Sequence, residues 1–152
     1  MRWWSDVEVS LKGTFLCTRA ALPGLIEQRS GRIVNVASRA GVVPRPYASG
    51  YAAAKAAVLS FTRSVAAEVE SAGITVFAIS PGFVRTGLIE SVAGSANGRT
   101  HLPELASRSD DLDPDLAGRL VVDIAGGRLD PLTGSFLHVL DDLDQLLAAA
   151  RS

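Results

Sequence analysis

Apolar residues in this chain switch between a helical period and short continuous runs. Over about residues 3–28, Val7, Leu11, Phe15 and Leu22 fall on one helical face, and Ser5 and Glu8 have capping-box spacing. The pattern predicts a long helix, with Pro23 placed to kink its far end. Residues 31–37 form a β-branched run and predict a buried strand that ends at Ser38. A loop with Pro44 and Pro46 follows. Residues 48–71 predict an Ala-rich second helix, with Val58, Phe61, Val65 and Val69 on one stripe and Gly73 as its stop. Residues 74–79 predict a second strand, closed by Pro81 and Gly82. The polar, glycine-containing stretch 86–112 reads as a mobile flap with short helical pieces. Asp113 and Pro114 start a third helix, which Gly126 and Gly127 end. Residues 135–140 predict a third strand, and Asp141 is expected to cap a closing helix reaching about residue 150.

Helices that alternate with strands imply right-handed crossovers and a parallel sheet. The predicted class is α/β, a short parallel sheet of about three strands flanked by helices. Ligands bind such sheets at the carboxyl ends of the strands. Ser38 and the Pro81–Gly82 pair both lie at such ends, and Tyr51 opens the helix between them.

Composition narrows the classes. The 152 residues are 47% hydrophobic and 20% charged, which fits one globular domain, 1–152, and not disorder. A net charge of −1 gives no reason to expect nucleic acid or an anionic membrane. Acidic residues concentrate at 110–115 and 141–144, where they are expected to cap helices. Cys17 is the only cysteine, so no intrachain disulfide or cysteine-based metal site is expected, and its apolar surroundings suggest a core position. His101 and His138 lack metal-ligand spacing. With no long apolar span and no signal peptide, a cytoplasmic location is expected.

The candidate chemistry is Tyr51-Ala-Ala-Ala-Lys55. Positions four apart share a helical face, so the ammonium can sit beside the phenol. A nearby positive charge favours the phenolate, which makes Tyr51 a candidate general acid and base for carbonyl–alcohol interconversion.

Four segments, in order and spacing, resemble the catalytic half of the short-chain dehydrogenase/reductase family. They are Leu11-Lys-Gly-Thr-Phe15, Gly31-Arg-Ile-Val-Asn-Val-Ala-Ser38-Arg-Ala-Gly41, Tyr51-xxx-Lys55 and Ser80-Pro-Gly-Phe-Val-Arg-Thr86. The resemblance implies a partial Rossmann-like three-layer fold and NAD(P)(H)-dependent oxidoreduction of a small-molecule ketone or alcohol. Tyr51 would exchange the proton with the substrate oxygen. Lys55 would bind the nicotinamide ribose and favour the Tyr51 phenolate. Ser38 would hydrogen-bond the substrate oxygen. Pro81, Gly82, Val84 and Thr86 would border the nicotinamide half of the cofactor. The two long helices would pair copies into a homo-oligomer.

Two departures qualify that reading. Ser10 stands where the family usually has asparagine, which helps hold a water in a proton relay from the lysine; a serine is expected to weaken the relay. No Gly-x-Gly occurs in the chain, so the amino-terminal dinucleotide fingerprint and the residue that selects NAD or NADP are not among these residues. The first strand is then expected to have a bare, hydrophobic edge, with marginal stability or self-association. Two readings stay open: an oxidoreductase, or a non-catalytic remnant that serves as an interaction and dimerisation module.

Overall fold

The computed structural model describes residues 3–151. Its sheet has three parallel strands, β1 (Gly31–Val36), β2 (Ile74–Ser80) and β3 (Phe136–His138), in the order β1-β2-β3. This is the predicted α/β fold. Alternation along β2 explains its nearly continuous apolar run. Val76 and Ala78 face one layer, Phe77 and Ile79 the other, and all four are buried.

The first layer is helical. The chain enters through α1 (Trp3–Val7), a π turn (Glu8–Lys12) and α2 (Gly13–Gln28), and crosses from β1 to β2 through α3 (Ser49–Val69). Val65, Ala66 and Val69 of α3 pack with Leu22 and Leu25 of α2 over Ile74 and Val76. Gly73 ends the crossover with φ 72°, and a Cβ there would stand 2.7 Å from the Arg29 carbonyl oxygen, so conformation and space both select glycine. The second layer is α7 (Asp115–Ala125) and α8 (Leu143–Ala149), whose Leu120, Ile124 and Leu147 close over Phe77, Ile79 and Leu137. Between β2 and α7, residues 86–112 form three short helices, α4 (Gly87–Gly94), α5 (Ala96–His101) and α6 (Glu104–Ser107).

Several local expectations are corrected. The first predicted helix is interrupted by the π turn, and Ser5 lies inside α1, not at its cap. Pro23 is accommodated within α2, which continues to Gln28. Cys17 is exposed: Thr18, one position on and therefore about 100° around the helix, takes the buried place. Phe15, at the edge of the stripe, is 41% exposed and meets Phe61 edge-on at 6.1 Å between ring centroids. The third strand is only three residues long. The closing helix is capped by Asp142, whose carboxylate accepts from the Gln145 amide at 3.0 Å; Asp141 instead accepts from the His138 amide at 2.7 Å.

Candidate active site

Strand register brings Ser38 and Pro81 to one end of the sheet. Val36 pairs with Ile79, and the Ala37 amide donates to the Ile79 carbonyl at 2.8 Å. Ser38 and Pro81 therefore leave β1 and β2 at about the same level.

Ser38 is extended and opens a 3-10 turn (Arg39–Gly41), with its hydroxyl oxygen accepting from the Ala40 amide at 3.1 Å. A hydroxyl that accepts one bond keeps its proton to donate. Tyr51 and Lys55 lie in the first turns of α3, both half-buried. The Lys55 ammonium donates to the Val36 carbonyl at 2.8 Å and sits 5.6 Å from the centre of the Tyr51 ring. One residue thus contacts the strand end that leads to Ser38 and the ring of Tyr51. Burial holds the Lys55 ammonium below the usual lysine range.

Ser10 lies within the π turn, which packs against α3. Its neighbour Leu11 packs against the cluster of Ala37, Val58 and Ala78, and Ala37 immediately precedes Ser38. The Ser10 carbonyl accepts from the Thr14 hydroxyl at 2.7 Å.

Beyond β2, Pro81, Gly82 and Val84 are half-buried and Thr86 is exposed. Gly82 has φ 77°, a conformation that favours glycine. Thr86 stands at the N-cap of α4 without a side-chain capping bond, so its hydroxyl is not spent on the helix. The flap's two ends are tied together by the Leu112 amide donating to the Phe83 carbonyl at 2.7 Å, and by the Arg108 guanidinium 3.9 Å above the Phe83 ring.

A sequence profile described as short chain dehydrogenase matches residues 1–96. The chain belongs to the short chain dehydrogenase family. The matched stretch contains every candidate residue from Ser10 to Thr86. Among curated relatives, a 3-oxoacyl-[acyl-carrier-protein] reductase from Synechocystis is 43% identical over 90 residues, 59% of this chain and 36% of that protein. A 3-oxoacyl-[acyl-carrier-protein] reductase FabG from Staphylococcus aureus is 36% identical over 139 residues, 90% of this chain and 55% of that protein. The acetoin dehydrogenase of Enterobacter cloacae has a similar structure, with TM-score 0.71 and 31% identity over 90% of this chain and 53% of that one. The chain thus spans about half the length of these longer matches.

Three features of this candidate site had no sequence signal strong enough to find them. The π turn around Ser10 is one, and the Lys55–Val36 bond is another. The third is the seating of α3. Gly50 is buried, and a Cβ on it would meet the Trp3 carbonyl and the Asp6 carboxylate at 3.0 Å, while the Trp3 indole donates to the Ser49 hydroxyl at 3.2 Å. These contacts fix the start of the helix that carries Tyr51. In an alanine-rich helix, Gly50 looks like any other small residue.

Proposed function

We propose that this chain carries the acid–base centre of an NAD(P)(H)-dependent ketone–alcohol oxidoreductase. The observation that carries the reading is the double engagement of Lys55, at 2.8 Å from the Val36 carbonyl and 5.6 Å from the Tyr51 ring centre. In the reductive direction, the Ser38 hydroxyl donates a hydrogen bond to the substrate carbonyl oxygen and Tyr51 delivers the proton to that oxygen. In the oxidative direction, Tyr51 takes the proton back. Lys55 stabilises the phenolate left after proton delivery.

The residues fit the nicotinamide half of the cofactor. An ammonium has three donors, and the Val36 bond uses one, leaving two for ribose hydroxyls. The Thr86 hydroxyl, not engaged in capping α4, and the backbone around Gly82 are further polar groups for the same half of the cofactor. When bound, the nicotinamide supplies or accepts the hydride. The relatives' names share oxidoreduction at a carbonyl carbon, and that coarse reaction is what the proposal takes from them. A cytoplasmic location and pairing of copies through the two long helices belong to the same proposal.

The alternative is a non-catalytic interaction module. It is favoured by β1, which among the described residues has a strand on one side only and leaves Val36 52% exposed. Titration of the purified chain with NADH and NADPH separates the two. Micromolar binding supports the enzyme. No binding up to millimolar cofactor, together with a stable dimer, supports the module.

A further inference from the structure

Lys55 touches the segment bearing Ser38 at two places. Its ammonium reaches the Val36 carbonyl, two residues before Ser38, at 2.8 Å. Its main chain reaches Gly41, three residues after Ser38. A Cβ built on Gly41 would stand 2.8 Å from the Lys55 carbonyl carbon, 2.8 Å from the Ala56 nitrogen and 3.0 Å from the Lys55 carbonyl oxygen. These are backbone atoms of a helix interior, so nothing there can swing aside. Gly41 lies outside the left-handed region, so an alanine at this position is opposed by that contact alone.

Between the two anchors the segment is bonded to itself. The Ala40 amide donates to the Ser38 hydroxyl oxygen at 3.1 Å, and the Gly41 amide donates to the Ser38 carbonyl at 2.9 Å. A short turn bonded internally and fixed at both ends moves as one body. Its distance from α3 is then set by whatever stands at position 41.

We propose that Gly41 is a positioning residue: having no side chain, it lets the Ser38 turn rest on the α3 backbone at Lys55, and so sets the separation of the Ser38 hydroxyl from the helix face that carries Tyr51. The functional meaning of this coupling rests on the acid–base reading above, but the coupling itself can be measured without turnover.

The test is reciprocal. In the first arm, the Lys55 amine is titrated by NMR in the parent, in Gly41→Ala and in Gly24→Ala, a helical glycine with open space around it. Burial is the cause of the low Lys55 titration, so opening the contact moves it up toward the ordinary lysine range in Gly41→Ala and leaves it at the parental position in Gly24→Ala. In the second arm, amide hydrogen exchange is followed in Lys55→Met. The Ala40 and Gly41 amides exchange at least about threefold faster while those of β2 keep parental rates. Unmoved Lys55 titration in a folded Gly41→Ala overturns the proposal. So do parental exchange rates at Ala40 and Gly41 in Lys55→Met, and that arm decides alone where Gly41→Ala does not fold. Both arms succeeding while cofactor titration fails would keep the coupling and sink the enzyme reading.

Discussion

The Asn35 side-chain amide donates to the Thr62 hydroxyl at 2.9 Å, and both residues are buried between β1 and α3. This polar pair ties the strand leading to Ser38 to the helix carrying Tyr51. Replacing Thr62 with valine keeps the shape but strands the amide. Leaving a buried donor unpaired costs about 1–3 kcal/mol. Thr62→Val is therefore expected to lower unfolding free energy by that amount in urea denaturation. Asn35→Leu/Thr62→Val is expected to lose less than the sum of its two single changes.

Arg32 and Asp130 form a two-bond ion pair, 2.8 Å and 2.6 Å, between β1 and the turn before β3. Hydrogen bonding to the guanidinium holds the Asp130 carboxyl below its ordinary range. A carboxyl with a depressed folded value stabilises the fold fully above its unfolded value, near 4, and loses that contribution as pH falls through the folded one. Both side chains are about a third exposed, which keeps the pair to about 1 kcal/mol. Asp130→Asn should cost that much at pH 7. The gap from the parent should narrow below about pH 4, as read by thermal melts across pH. A gap that widens in acid would contradict this.

Tyr47 adopts φ 62° and stacks on His101 with ring centroids 4.4 Å apart. A bulky side chain in the left-handed region costs about 1–2 kcal/mol. Glycine relieves that cost but adds about 0.4–1 kcal/mol of unfolded-state freedom. Tyr47→Gly and Tyr47→Ala both lose the stack. Tyr47→Gly is therefore expected to be the more stable of the two by about 1 kcal/mol, as measured by denaturant unfolding. The stack joins the loop after Ser38 to α5, so both variants should also speed amide exchange in α5 relative to Tyr47→Phe.

Proton delivery by a positioned side chain contributes about 10²–10⁴ in rate. Tyr51→Phe should lose about that factor in cofactor-dependent carbonyl reduction, with circular dichroism unchanged. Equal turnover in parent and variant would remove Tyr51 from the chemistry.

What was legible in the sequence follows from which interactions are local. The Val58, Val65 and Val69 stripe and the Val76–Ile79 run marked a helix and a strand whose apolar residues are buried, because burial periodicity is written along the chain. Among the described residues β1, read as a buried strand, instead lies at the sheet edge with Asn35 as its one buried residue and Val36 52% exposed, because its apolar run does not tell how many strands flank it. The four-residue spacing of Tyr51 and Lys55 placed them on one helix face for the same reason. The Lys55–Val36 bond spans 19 positions and depends on how α3 lies on β1, which no local pattern encodes. Gly41 carries no local signal, because its close backbone contact is with a different element, α3. Cys17 and Thr18 differ little in bulk, so helix rotation alone decided which was buried. The π turn shifts the hydrogen-bond ladder within five residues, too few to disturb an apolar period.

Ser10 gives the last prediction. It sits in that π turn, packed against α3, where the family usually carries asparagine. Its hydroxyl reaches less far than an asparagine amide, so a water held between this turn and the lysine is gripped by a shorter arm. A hydrogen bond, direct or through a water, contributes about 0.5–1.5 kcal/mol net. We therefore expect Ser10→Asn to raise turnover, by no more than about tenfold. Because position 10 is half-buried, the melting temperature is read alongside the rate. Steady-state rates of parent and variant, measured at saturating cofactor, check the expectation. A slower variant with an unchanged melting temperature would show that serine already serves the relay as well as asparagine does.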